Sequence, residues 1–149
     1  MLISDTGKAQ ICDYGLSPII QDPVMAIAAS SQVAEYCRWL APEVDPHKDE
    51  RSKLADIFAF VMLAVEVFTG KEPFGDMKKK SVVLHIADGG RPEKPSAADQ
   101  FDLTTEMWEF IQKCWAQKQN KRPTIDEVVS TWEGFVNRYV VSCSDSSAS

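Results

Sequence analysis

Residues 54–68 read LADIFAFVMLAVEVF and form the most apolar stretch of the 149-residue sequence. Apolar side chains occupy nearly every face of a helix built from this stretch, which is typical of a helix buried on all sides. The stretch is shorter than the roughly 20 residues that span a bilayer, and it carries Asp56 and Glu66. It therefore predicts a core helix and not a membrane span.

The residues that flank this stretch fix the ends of the helix. Ser52 is a favourable N-cap residue because its hydroxyl can accept a backbone N–H of the first turn. Gly70 can adopt the left-handed conformation that ends a helix. These signals predict a helix over residues 53–69, and a shorter helix over about 78–87 that ends at Gly89-Gly90.

Two more helices are predicted towards the C-terminus. Met107, Phe110, Ile111 and Cys114 recur at the spacing of one helix face. Thr124 and Glu127 form a capping box, in which each residue satisfies a backbone donor of the other. The apolar stripe predicted on the helix that follows is Val128, Trp132, Phe135, Val136 and Tyr139.

The N-terminal third of the chain has a different character. Residues 1–12 alternate and break at a turn signal, Asp5-Thr6-Gly7, which predicts a β-hairpin. Residues 13–37 show no sustained period and predict a long loop. The fold class is therefore α+β and mostly helical, with a domain over 1–140 and a disordered polar tail over 141–149.

Charge and cysteine content exclude several functions. The net charge of −6 disfavours nucleic acid as a partner, since phosphate binding needs a basic surface. The four cysteines (Cys12, Cys37, Cys114 and Cys143) lie far apart and predict neither a zinc site nor a disulfide framework. The N-terminus has no signal-peptide pattern. An intracellular, cytoplasmic protein is expected, with the nucleus as an alternative and no membrane partner.

Two short motifs suggest a specific chemistry. ICDYGLS at residues 11–17 contains an Asp-aromatic-Gly triplet, and RWLAPE at residues 38–43 contains Ala-Pro-Glu. This pair, about thirty residues apart, brackets the activation loop of phosphoryl-transfer enzymes. Taken alone, Asp13 is more often an ordinary turn residue.

Five blocks of the sequence, in order, resemble the later part of the eukaryotic protein kinase domain. The motifs are most similar to those of the tyrosine-kinase-like serine/threonine kinases and the tyrosine kinases. The resemblance implies a kinase-like C-terminal lobe with an activation segment over residues 13–43. The blocks are LISDTGKAQICDYGLS, EYCRWLAPE, KLADIFAFVMLAVEVFTGKEPF, MWEFIQKCWAQ and NKRPTIDEVV.

The resemblance implies roles for individual residues. Asp13 stands where the family holds the magnesium of Mg-ATP, and Gly15 stands where the loop turns beside it. Glu43 would pair with Arg122, and Asp56 would accept backbone hydrogen bonds from the catalytic loop. Both roles have simpler alternatives: an exposed ion pair of little value, and an acid favoured by the helix dipole.

The resemblance also implies a surface for the protein substrate. Tyr36, Arg38 and Trp39 would form the floor on which a substrate peptide lies. Phosphorylation sites in the activation segment would be Ser17, Ser30 and Ser31, for which solvated loop serines are the alternative. Serine/threonine specificity is in doubt, because Glu35-Tyr36 replaces the Gly-Thr pair of those kinases.

Several parts of a phosphoryl-transfer site do not occur in the sequence. There is no Gly-rich loop, no lysine in a VAIK-like segment and no His-Arg-Asp motif. We therefore expect the chain alone to bind no Mg-ATP and to be catalytically incomplete. Two retained positions also depart from the family: Tyr14 replaces phenylalanine, and Val61 replaces a glycine of the central helix.

Three hypotheses for the function remain. The chain is a fragment of a complete kinase, a pseudokinase-type module or scaffold that binds protein partners, or a helical protein unrelated to kinases. The ordered motifs disfavour the third. In either of the first two, a missing N-terminal kinase segment or self-association would cover the apolar surface of the central helix.

Overall fold

The computed structural model describes residues 2–10, 36–44, 52–96 and 102–146, with side chains through residue 138. The chain divides into two units, residues 1–35 and residues 36–149. The sequence prediction of an α+β, mostly helical protein with a short N-terminal hairpin is confirmed.

The first unit contains the predicted hairpin. Strands β1 (Leu2–Ile3) and β2 (Ala9–Gln10) pair antiparallel, with Leu2 opposite Gln10 and Ile3 opposite Ala9. The connecting turn uses Gly7 at φ +74°, a conformation that glycine adopts without steric cost. The candidate residues Asp13, Gly15, Ser17, Ser30 and Ser31 lie outside the described residues.

The second unit is built around helix α1 (Lys53–Thr69), whose predicted ends are confirmed. Ser52 Oγ accepts a hydrogen bond from the backbone N–H of Ala55 at 3.1 Å. Gly70 closes the helix at φ +65°, and its N–H donates to the carbonyl of Glu66 at 2.7 Å. Both ends therefore satisfy backbone groups that a helix terminus leaves free.

Helix α1 supplies the centre of the core and packs against two other helices. Ile57, Phe58, Val61 and Met62 are almost wholly buried, so the core accommodates Val61 at the position where the resemblance implies glycine. Helices α3 and α4 contact α1 directly. The other helices are α2 (Lys79–Ala87), α3 (Thr105–Cys114), a 3₁₀ helix (Gln119–Lys121) and α4 (Ile125–Ser146).

The capping box at the start of α4 is confirmed by its hydrogen bonds. Glu127 Oε2 accepts from the backbone N–H of Thr124 at 2.7 Å, and the Glu127 N–H donates back to Thr124 Oγ1 at 3.4 Å. The hydrogen bonds from the Thr124 backbone and hydroxyl lower the pKa of Glu127. The carboxylate of Glu127 is therefore held in its ionised form at the positive end of the helix.

The rest of α4 differs from the prediction in two ways. The helix continues to Ser146, so the predicted start of a disordered tail at residue 141 is corrected. The helix extends this far because no glycine or proline occurs in residues 141–146 to end it. Val136 was predicted to join the buried stripe with Val128 and Phe135, but it is 56% exposed.

Among the residues that the structure describes, no helix combines the length and the apolar character that crossing a bilayer requires.

The position of Phe58 at the centre of the core yields a first prediction. Phe58 is fully buried, so Phe58→Ala should reduce the free energy of unfolding by about 3–5 kcal/mol. The matched control is Val67→Ala on the same helix, because Val67 is 56% exposed and alanine favours helix. Urea midpoints of both variants measure the difference, and similar losses in the two would contradict this description of the core.

Candidate functional site: segment 36–44 on the helical body

An ion pair fastens the end of segment 36–44 to the helical body. Arg122 donates from Nη1 to Glu43 Oε1 at 2.6 Å and from Nη2 to Glu43 Oε2 at 2.8 Å. The guanidinium is fully buried, whereas the Glu43 side chain is 25% exposed. This two-pronged geometry is the strong form of an arginine–carboxylate bond. Of the two alternatives for Glu43 and Arg122, an exposed ion pair and a buried one, the structure shows the buried pair.

The remaining donors of Arg122 tie it to two further parts of the fold. Nη1 also donates to the carbonyl of Leu54 at 2.8 Å, and Nε donates to the carbonyl of Ala116 at 3.0 Å. The first carbonyl belongs to the start of α1 and the second to the turn after α3. One side chain thus joins segment 36–44, helix α1 and the end of α3.

The charge of Glu43 reflects this environment. Burial by itself raises the pKa of Glu43, but the hydrogen bonds from Arg122 and the backbone, together with the positive charges of Arg122 and Arg91, outweigh burial. The pKa of Glu43 consequently lies below its ordinary value of 4.5. The ionised pair is therefore present throughout the neutral range.

A second arginine, which the sequence interpretation overlooked, completes this cluster. Arg91 lies 5.0 Å from the Phe58 ring centre, and Arg122 lies 5.1 Å from the same ring. Arg91 donates to the carbonyls of Trp115 at 2.9 Å and Gly90 at 2.7 Å. No periodic or motif signal marks Arg91, because Phe58 and Trp115, which place it in this cluster, are distant in sequence.

The predicted substrate floor is only partly at the surface. Arg38 is buried, and its guanidinium donates to the carbonyls of Pro73 (2.8 Å), Phe74 and Met77 (2.9 Å). Its Nε lies 3.3 Å from Glu72 Oε2. Arg38 is therefore a structural clamp on the turn at 73–77, which corrects its assignment as a surface docking group.

The other two floor residues take different positions. Trp39 is half-buried, and its indole Nε1 donates to Glu66 Oε2 at 3.0 Å. Tyr36 is half exposed and is the one floor residue that presents its side chain outward. Glu66 was itself the sequence signal for this contact, since a carboxylate within the apolar pattern of α1 needs a polar partner.

Asp56 lies exposed in the first turn of α1. Within the described part of the chain, its carboxylate has no hydrogen-bond partner. Its place in the first turn suits the role of a helix-dipole acid, and its role as an acceptor for a catalytic loop stays a prediction.

The buried pair yields a second prediction. Glu43→Ala strands the fully buried Arg122 charge, so the free energy of unfolding should fall by about 3–5 kcal/mol. Glu106→Ala is the matched control, since its pair with Arg138 is 60–70% exposed and should contribute less than about 1 kcal/mol. Denaturant midpoints at neutral pH separate the two outcomes.

The pH dependence of Glu43→Gln checks the electrostatic origin of the effect. A carboxylate with a lowered folded pKa stabilises the protein above its ordinary pKa and loses that contribution as pH falls through the folded value. The stability gap between the wild type and Glu43→Gln should therefore shrink below about pH 4.5. A constant gap from pH 7 to pH 3 would show that packing, not charge, holds this segment.

Comparison with known proteins agrees with this arrangement. The family model for protein tyrosine and serine/threonine kinases matches residues 1–132. A putative serine/threonine-protein kinase/receptor, R831, of Acanthamoeba polyphaga mimivirus is 36% identical over 129 residues, which is 87% of this chain and 7% of that protein.

Two cellular relatives show the same partial coverage. Serine/threonine-protein kinase VIK of Arabidopsis thaliana is 30% identical over 87% of this chain and 29% of its own length. The RGS domain-containing serine/threonine-protein kinase A of Dictyostelium discoideum is 26% identical over 91% of this chain and 11% of its own length. The chain thus spans less than a third of these relatives. With its helical core, its buried Glu43–Arg122 pair and a family match over most of its length, the chain belongs to the protein tyrosine and serine/threonine kinase family.

Proposed function

We propose that this chain forms the substrate-positioning helical lobe of a protein kinase, whose reaction is ATP-dependent phosphorylation of protein hydroxyl groups. The observation that carries the proposal is the buried Glu43–Arg122 pair, which fixes the end of segment 36–44 on the helical body. The names of the similar kinases favour serine and threonine over tyrosine as acceptors.

Fixing segment 36–44 matters because phosphoryl transfer depends on position. The enzyme aligns the acceptor hydroxyl with the transferred phosphoryl group, and there is little covalent chemistry for the protein to perform. Glu43 and Trp39 attach the segment to helix α1 and its surroundings, while Arg38 attaches it to the turn at 73–77. Tyr36 is thereby held outward at a defined place on the surface.

We propose that the chain alone does not bind Mg-ATP. Asp13, the candidate ligand for magnesium, lies outside the described residues, and no cluster of three or more carboxylate, histidine or cysteine side chains occurs within them. The printed sequence also contains no Gly-rich loop and no His-Arg-Asp motif. We therefore propose that further kinase segments are needed for transfer and that this chain by itself is inactive.

An open apolar groove supports the need for further protein. The groove lies between α1 and α4, has a volume of about 540 Å³ and is lined by Phe60, Trp132 and the outer face of α4. Phe60 is 43% exposed, Val129 49% and Val136 56%. Exposed apolar surfaces of this kind recruit a partner or cause association. A kinase segment or a second copy of the chain would cover it.

The proposed inactivity yields a third prediction. The isolated chain should show no thermal shift with ATP and Mg²⁺, whereas a ligand at one hundred times its Kd would add about 2.7 kcal/mol of stability. Differential scanning fluorimetry with and without nucleotide measures this. A shift in the wild type that Asp13→Ala abolishes would show that the chain binds Mg-ATP unaided.

The groove yields a fourth prediction. The purified chain should sediment as an oligomer, and Val129→Glu together with Val136→Glu should shift it to the monomer by charging the groove. The control is Val83→Glu, because Val83 is equally exposed but lies on α2. A wild-type monomer, or an oligomer indifferent to the groove charges, would overturn the proposal that this groove drives association.

A further inference from the structure

The turn over residues 73–77 forms a cup of carbonyl groups around the guanidinium of Arg38. The carbonyls of Pro73 and Met77 accept from Arg38 at 2.8 and 2.9 Å, and the carbonyl of Phe74 accepts as well. The Arg38 side chain is only 6% exposed, so these carbonyls replace the water that the charge would otherwise bind. The orientation of this turn therefore decides where the start of segment 36–44 lies.

Phe74, within this turn, has an unusual backbone conformation. It adopts φ +56°, in the left-handed region that bulky side chains rarely occupy. The carbonyl of Phe74 that accepts from Arg38 also accepts from the backbone N–H of Met77 at 2.8 Å. A residue in such a conformation persists only where surrounding contacts hold it in place. The neighbours of the Phe74 ring therefore have to supply that hold.

Helix α2 supplies the contact that holds Phe74. The ring of His85, in the last turn of α2, meets the Phe74 ring edge-on, with the ring centres 5.4 Å apart. The imidazole of His85 is itself seated on Gly90, where an added Cβ atom would overlap it. Val82 and Ile86 bury the inner face of α2 in the core, so this support is itself fixed.

We propose that Phe74 is a positioning residue for segment 36–44. Its ring, seated against His85, holds the Phe74 backbone in the conformation in which its carbonyl accepts from Arg38. Loss of this ring contact should let the start of the segment move away from α2 while the helical core stays folded. The inference rests on the proposed function in that this segment would present the acceptor protein, and it identifies a residue that sets the position of the segment.

A purely structural role is the alternative, since Phe74 packs partly buried against the core. Two buried cysteines distinguish the two roles. Cys37 lies in segment 36–44, and its Sγ atom lies 3.7 Å from the carbonyl oxygen of Lys79 in α2. Cys114 lies in α3 and is fully buried. Movement of the segment alone would expose Cys37, whereas loss of the core would expose both thiols.

The test measures how fast N-ethylmaleimide alkylates each cysteine of the full 149-residue chain without nucleotide, with mass spectrometry of the peptides to separate the sites. Phe74→Ala should raise the ratio of the Cys37 rate to the Cys114 rate about tenfold, a change of the size that losing an edge-on aromatic contact produces. His85→Ala should raise the ratio by a similar factor. The double variant should exceed neither single variant, because both substitutions remove the same contact.

The matched control is Phe110→Ala. Phe110 is also partly buried and meets Phe135 edge-on with the ring centres 6.1 Å apart, but this contact joins α3 to α4. Its loss should leave the ratio unchanged or lower.

An unchanged ratio in Phe74→Ala and His85→Ala, equal acceleration of both cysteines, or additive effects in the double variant would overturn the proposal. The measurement needs neither nucleotide nor substrate. A chain that takes no part in phosphoryl transfer would give the same rates, so the two proposals fail separately.

Discussion

The bond between Glu43 and Arg122 is the contact on which the arrangement of the second unit depends. A fully buried guanidinium is stable only when its donors and its charge are all matched. Glu43 supplies the charge and two acceptor oxygens, and the carbonyls of Leu54 and Ala116 supply the others. Because these acceptors come from three separate stretches of chain, satisfying one side chain fixes their relative positions.

The Phe58 ring extends this constraint to helix α2. The guanidinium groups of Arg91 and Arg122 both lie about 5 Å from the centre of the ring. At this distance an aromatic ring attracts a cation. Desolvation and the neighbouring Arg122 charge lower the pKa of Arg91. Glu43 and the ring offset part of the repulsion between the two arginines, and Arg91 Nη1 donates to the carbonyl of Ile86 in α2 at 3.3 Å.

The exposed surfaces of the helical body differ in chemistry. The groove between α1 and α4 is apolar, and its single charged lining residue is Glu133. Helix α2 instead exposes Val83 and Leu84 next to Lys78 and Lys80. The two surfaces therefore differ in charge as well as in their place on the helical body.

The positions of the helices could be predicted from the sequence because their signals are local. Ser52 and Gly70 mark the ends of α1, and Thr124 and Glu127 mark the start of α4, because a cap involves residues within one helical turn of each other. The apolar run of α1 likewise predicted the burial of Phe58 and Val61, although Phe60 and Val67 on the same helix are exposed.

Tertiary structure alone decided how the side chains between these helices are used. Arg38 turns inward to carbonyls 35–39 residues away, Arg91 reaches Trp115, and Val136 stays exposed although it fits an apolar stripe. Sequence spacing specifies which residues share a helix face, but it cannot specify which faces another element covers. That coverage follows from long-range packing, in which a buried polar group takes whichever acceptors the completed fold brings to it.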